Sequence, residues 1–198
     1  MSFVSVVVCE DFLSVVADSR ATNTITGEID NEYEQKIHTI GEKVFYSNTG
    51  LVDPFMEFTI NSKLINSIVT NGLLRSETEI RSWYKKIQRL IKKDLFFEVR
   101  FGGLSVNNKF DVYLINSIEN DIQKITYKRD GIAYSLAGSV QFKKESEDYF
   151  ITQYKRLRVE SPPIIRKLQE SLNDYVADND ETVNKNKTYF VLEKTRFM

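Results

Sequence analysis

The feature that most constrains this chain is a pair of β-branched runs at its start. Phe3 to Cys9 (FVSVVVC) and Phe12 to Asp18 (FLSVVAD) are separated only by Glu10-Asp11. β-Branched side chains are stiff at χ1 and fit the pleated strand. Two such runs joined by two polar residues predict a β-hairpin with an acidic tip and at least one buried face. Ser19 to Gln35 follows as a polar excursion over the surface, and Lys36 to Ile40 and Val44 to Ser47 then flank Gly41-Glu42-Lys43 as a second hairpin. Asn48-Thr49-Gly50 ends this opening region of four short strands.

The next elements are helical. Asp53-Pro54 has the form of a helix start, and Phe55, Met56, Ile60, Leu64, Ile68 and Val69 recur at spacings of three and four. Ser76-Glu77-Thr78-Glu79 fits a capping box ahead of Ile80, Trp83, Tyr84, Ile87, Leu90 and Ile91, which share one side of a second helix. Four extended runs come next: Glu98 to Val106, Phe110 to Ile118, Ile122 to Lys128 and Ile132 to Leu136. Their separators carry Asn, Asp or Gly, which predicts an antiparallel meander. The helical period returns from Val140 to about Leu157. Pro162-Pro163 punctuates the chain, and Ile164, Ile165, Leu168, Leu172, Tyr175 and Val176 form a fourth helical stripe. The polar stretch Asp178 to Lys187 precedes a last strand, Thr188 to Glu193. This order predicts an α+β domain spanning residues 1–198, with two antiparallel sheets face to face and a helix layer outside each.

Charge and cysteine usage exclude several classes of function. With 27 Lys and Arg against 28 Asp and Glu, no extended field gathers nucleic acid or an anionic membrane. Lys85-Lys86, Lys92-Lys93 and Lys155 to Arg158 read as solvated helix faces. A single cysteine, Cys9, rules out an internal disulfide and a cysteine zinc site, and suits a reducing cytoplasm. It reads as an inert buried thiol. No apolar run approaches the roughly 20 residues of a spanning helix. The expectation is a soluble, cytoplasmic chain with no processing beyond, at most, removal of Met1. No phosphate loop or metal-ligand cluster stands out, so no cofactor is expected.

Two motifs carry more specific information: Val16-Ala17-Asp18-Ser19-Arg20-Ala21-Thr22 at the end of the first hairpin, and Gly138-Ser139 before the third helix. Together with the element order they resemble the proteasome β-subunit family, which includes the peptidase of the bacterial two-component ATP-dependent protease. The resemblance implies an N-terminal nucleophile (Ntn) hydrolase with a four-layer αββα fold. Counting back along the hairpin puts Ser2 at the nucleophile position, where the family has threonine. The family's catalytic lysine falls on Lys36 if the loop has two extra residues, and its oxyanion glycine falls on Gly50. The family's later Asp and Ser-Gly-Gly motif has no clear counterpart in Asp178 to Asn184, where Asp178 and Asp180 are the candidates for the aspartate.

The chemistry implied by the resemblance is coherent. A serine hydroxyl is a weak nucleophile unless a base takes its proton. At a chain's first residue that base can be the residue's own α-amine, whose ordinary pKa of about 8 leaves part of it neutral at pH 7. A Lys36 ammonium beside it would lower the pKa of amine and hydroxyl, and Asp18 would hold Lys36 in place. A backbone N–H at Gly50 would face the developing oxyanion, and Ser139 would bond near the α-amine or relay a proton. A free amine on Ser2 requires removal of Met1, and serine is small enough to permit it.

Taken singly, each residue also has an ordinary structural explanation: Asp18 and Arg20 as turn residues, Lys36 as a surface lysine, Gly50 as a strand end, Gly138-Ser139 as a helix cap. His38, the only histidine, could join Ser2 and Asp18 as a triad, or sit at the rim of the core. The expected function is amide-bond hydrolysis of a peptide or protein substrate. The alternative is a noncatalytic subunit of the same fold that assembles or binds a partner. The resemblance further implies a homo-oligomeric ring or related assembly and an ATP-dependent unfoldase as partner.

Overall fold

The computed structural model describes residues 3–23, 26–50, 67–88, 97–116, 119, 121–127, 131–138, 142–158 and 160–194. The chain is mixed α and β, with antiparallel sheets, and its described elements fall into two compact units. The first comprises residues 1–37 with 127–198, the second residues 38–126. Strands and helices are numbered in chain order.

In the first unit, β1 (Val4–Val8) and β2 (Phe12–Asp18) form the expected hairpin, with Val4 opposite Ala17 and Val8 opposite Leu13. β12 (Ala133–Ala137) adds to the free side of β1 and β13 (Lys187–Glu193) to that of β2, giving the antiparallel order β12-β1-β2-β13. Every residue of β1 and β2 is buried, so both faces of the hairpin are covered. Helices α2 (Lys143–Tyr154) and α3 (Pro162–Ala177) supply part of that cover. Phe3, Val7 and Phe12 pack in one cluster with Phe150, Ile165, Leu168, Leu172 and Val176. Burying each such side chain stabilises the fold by about 1.5–3 kcal/mol. Gln169 of α3 is wholly buried against the sheet, donating to the Ser5 carbonyl at 2.9 Å and accepting from the Ser14 hydroxyl at 2.5 Å. These bonds satisfy the buried amide and fix the helix's register on the hairpin.

In the second unit, β5 (Ile37–Ile40), β6 (Val44–Gly50), β9 (Phe97–Leu104), β10 (Phe110–Asn116) and β11 (Gln123–Ile125) form a sheet of order β11-β10-β9-β6-β5. Helix α1 (Glu77–Ile87) buries Ile80, Trp83 and Tyr84 in a cluster with Val44, Tyr46, Phe101 and Tyr113. Trp83 meets Phe101 edge-on at 6.1 Å, and Phe101 stacks on Tyr113 at 5.4 Å. The start of α1 is as the sequence predicts. The Glu79 carboxylate accepts from the Ser76 N–H at 3.2 Å and its hydroxyl at 2.6 Å.

Four expectations are revised. The meander holds for β9, β10 and β11, but β12 leaves it to pair with β1, because Leu136 belongs with Phe150 and Leu168 in the first unit's core. Val69 is not helical. Val69–Thr70 (β7) pairs with Leu73–Leu74 (β8) around Asn71 and Gly72, whose φ values of 50° and 73° make the tight reversal that Asn-Gly favours. The polar excursion carries a small hairpin of its own, β3 (Ala21–Thr22) with β4 (Ile29–Asn31). Pro162 and Pro163 open α3 rather than interrupt the chain, since a first helical turn needs no N–H from them. The helical stripe expected from Asp53 onward falls outside the described residues as far as position 66, as do Leu90 and Ile91.

Candidate active site

Antiparallel pairing brings the beginning of β1 beside the end of β2, and the site grows from that point. Asp18, the last residue of β2, is completely buried. Its own N–H donates to the Phe3 carbonyl at 3.1 Å, and its Oδ1 accepts the Phe3 N–H at 2.7 Å. The same oxygen accepts from the Lys36 ammonium at 2.6 Å, while Oδ2 accepts the Arg20 N–H at 2.9 Å. Lys36 stands immediately before β5, with its side chain 5% exposed, and also donates to the Arg20 carbonyl. A buried ion pair holds only when additional hydrogen bonds satisfy both ions. Here two backbone donors serve the carboxylate, and one backbone carbonyl serves the ammonium.

Burial pushes the Lys36 ammonium below the ordinary lysine range, and the Asp18 carboxylate opposes that shift. The result is a cation whose proton is held less tightly than on a surface lysine, aimed at a carboxylate that also binds the backbone of Phe3. Such a pair can polarise, or exchange protons with, a group brought within its hydrogen-bond reach.

The sequence-derived candidates divide as follows. Asp18 and Lys36 meet. Gly50 ends β6 with φ of +95°, a conformation that favours glycine whatever its further role. Ser2 and Ser139 lie outside the described residues. Of the two candidate aspartates, Asp178 is paired on the surface with Lys185 at 2.6 Å. Asp180 is buried; its Oδ1 accepts from the Thr182 N–H and hydroxyl, and its Oδ2 has no hydrogen-bond partner among the described residues. His38 stacks on Tyr46 at 4.8 Å. Cys9 is only partly buried, and burial raises its thiol pKa.

The sequence marks Arg20 as part of its motif but does not single out Glu32 and Asn184, which join it at the site. The Arg20 backbone contacts both members of the ion pair. The Arg20 side chain is gripped by Glu32, with Nη2 to Oε1 at 3.0 Å and Nε to Oε2 at 3.2 Å. Asn184 donates to Glu32 Oε2 at 2.6 Å, and its hydrogen bond, with help from Arg20, lowers the Glu32 pKa. The Ala-Asp-Ser-Arg run pointed to Arg20, but nothing local in the polar stretch around Asn184 marks Ser19 and Glu32, its partners more than 150 positions away.

A cavity of about 470 Å³ lies at the other end of the β1–β2 hairpin, around Cys9, Phe12, Glu160 and Pro162. Its chemistry is therefore separate from that of Asp18. Among the described residues, no group of His, Cys, Asp and Glu could hold a metal ion, and no helix is long and apolar enough to cross a membrane.

Comparison with solved structures gives the class: the chain has a proteasome β-subunit-like fold. One similar structure is eukaryotic HslV from Trypanosoma brucei, 15% identical, covering 96% of this chain and 99% of that one with a TM-score of 0.66. Another is a mutant of Anbu from Hyphomicrobium sp. strain MC1, 16% identical, covering 98% of this chain and 82% of that one with a TM-score of 0.71. No protein-family profile and no curated protein matches the sequence.

Proposed function

We propose that this protein is a proteasome-like Ntn hydrolase, a peptidase with Ser2 as nucleophile. The observation that carries this is the sharing of one buried Asp18 oxygen by the Lys36 ammonium at 2.6 Å and the Phe3 N–H at 2.7 Å. It ties the residue that follows Ser2 to the lysine that would activate it.

With Met1 removed, the Ser2 α-amine takes the hydroxyl proton as Oγ attacks the substrate carbonyl. Lys36, held by Asp18, favours the deprotonated oxygen electrostatically. The Gly50 N–H stabilises the tetrahedral oxyanion, and Ser139 orients the amine. The α-ammonium then protonates the departing amine, leaving an ester on Ser2. Water, deprotonated by the same amine, hydrolyses that ester and restores the hydroxyl.

In this reading residues 1–198 form one domain with the four-layer αββα arrangement of Ntn hydrolases. A cytoplasmic homo-oligomeric ring and an ATP-dependent unfoldase partner belong to the same reading and rest on the likeness to proteasome subunits. Cleavage of unstructured peptides by the purified protein, and its loss in Ser2→Ala, is the test. Equal cleavage by both proteins would sink the mechanism. No cleavage by either would favour a noncatalytic subunit of the same fold.

A further inference from the structure

Among the described residues the Lys36 ammonium has two acceptors, Asp18 Oδ1 and the Arg20 carbonyl, and the Arg20 N–H donates to Asp18 Oδ2. The Arg20 backbone is therefore half of the cradle, and it lies between the end of β2 and the start of β3. The Ser19 carbonyl before it accepts the Glu34 N–H at 2.7 Å, and the Arg20 guanidinium donates to the Glu181 carbonyl. A side-chain relay adds to these bonds and converges on Asn184, which is 5% exposed and precedes β13. The Asn184 Oδ1 accepts the Ser19 N–H at 3.1 Å. Its Nδ2 donates to the Glu32 carbonyl at 2.9 Å and to Glu32 Oε2 at 2.6 Å. The Ser19 hydroxyl reaches the same Glu32 carbonyl at 2.7 Å, and Glu32 in turn grips Arg20 through both carboxylate oxygens. Asn184 is itself anchored, because its carbonyl accepts from Asn173 Nδ2 of α3 at 2.8 Å.

We propose that Asn184 is a positioning residue for the Asp18–Lys36 pair, acting through Ser19 on one side and through Glu32 and Arg20 on the other. Both ends of its amide are used, one as acceptor and one as donor, so neither a carboxylate nor an apolar side chain of similar size can replace it. Asn184 thereby belongs to the site proposed above, and its catalytic meaning rests on that proposal. Its geometry can be read without catalysis.

The test uses Asn184→Asp, which keeps the shape but turns the donor facing Glu32 into a carboxylate oxygen facing another carboxylate. Glu32→Gln added to it returns a donor to that contact. Lysine acylation of the folded proteins by acetic anhydride at fixed pH is followed by mass spectrometry, with exposed Lys43 as internal reference. Lys36 in Asn184→Asp is expected to react roughly tenfold faster than in the parent, as fits the loss of a charge-assisted hydrogen bond, and the double variant to return toward the parent rate. Unchanged Lys36 reactivity, or a double variant as reactive as the single one, would overturn the proposal. If Asn184→Asp does not fold, Glu32→Gln alone carries the test, with a smaller rise in Lys36 reactivity expected and no rise overturning it. Where the parent cleaves peptides, Asn184→Asp should lower kcat and leave KM nearly unchanged. A parent that cleaves nothing while Lys36 responds as expected defeats the peptidase proposal and leaves the positioning role standing. A parent that cleaves while Lys36 fails to respond does the reverse.

Discussion

Among the described residues, two buried cations stand beside carboxylates, Lys36 with Asp18 in the first unit and Arg100 with Glu98 in the second. Arg100 Nη2 lies 2.9 Å from Glu98 Oε2, and the two side chains are 2% and 15% exposed. The Lys36 and Asp18 side chains are 5% and 0% exposed. Burial is therefore similar, and it does not separate a candidate site from a structural pair. Chemistry and surroundings do. A guanidinium keeps its proton in proteins, whereas an ammonium on a flexible stem shifts readily when buried. Arg100 also sits mid-strand in β9, opposite Ser47 of β6 and Leu114 of β10, with backbone groups committed to two ladders. Asp18 ends its strand, and its carboxylate gathers the N–H of Phe3 and of Arg20 in addition to Lys36.

The sharpest way to break this contrast is Asp18→Ala. It leaves a buried ammonium with the Arg20 carbonyl as its one remaining acceptor among the described residues, and a loss of about 3–5 kcal/mol in denaturant unfolding is expected. Peptide cleavage, if Lys36 acts as proposed, should fall by roughly a thousandfold or more. Arg100→Met should cost less, about 1–3 kcal/mol, because Glu98 keeps contact with water. Cleavage per folded molecule should be unchanged, and a large loss of kcat in Arg100→Met would erase the distinction between the pairs.

The pH dependence of stability offers a finer comparison between Lys36 and Lys124 of β11. Burial lowers the Lys36 pKa, so the folded chain releases that proton at a lower pH than the unfolded chain, where lysine titrates near about 10.4. Between those two points the unfolded chain binds more protons, and stability rises with pH. Burial also pulls Lys124 down, but its hydrogen bonds to Asp111 and Glu77 outweigh this and raise its pKa above the ordinary range. Its contribution is complete below about pH 10.4 and is lost as pH climbs toward the folded-state value. Urea midpoints from pH 8 to 11 should therefore show the parent gaining on Lys36→Met as pH rises and losing ground to Lys124→Met only at the alkaline end. Shifts of the same sign for both would contradict the opposite environments. The smallest effect expected is that of Ser76→Ala, about 1 kcal/mol from the lost α1 cap, with no change at the site.

Much of this was legible in the chain because it depends on neighbours in sequence. The β1–β2 hairpin follows from two β-branched runs and a two-residue gap, and the start of α1 from Ser76 and Glu79. The meeting of Asp18 with Lys36 was anticipated only through the proteasome-like order of motifs, since the intervening polar loop gives no geometry. Other features were obscured for identifiable reasons. Asn71-Gly72 is a strong turn signal, but the three-and-four spacing that ends just before it, at Ile68 and Val69, drew Val69 into the helix. β12 follows the meander so closely in sequence that its departure to β1 depends on where Leu136 finds a core. Asn184 lies in a stretch without periodicity, and its role is set by Ser19 and Glu32, which only the folded chain brings near.

In the proposed mechanism the Asp18–Lys36 pair serves a nucleophile at Ser2. This role is tested most directly by treating the purified protein with an acylating β-lactone and mapping the adduct by mass spectrometry, beside Lys36→Ala. The expected result is one adduct on a peptide that begins at Ser2, absent from Lys36→Ala. A peptide that retains Met1 and carries no adduct, or equal labelling of both proteins, would contradict it.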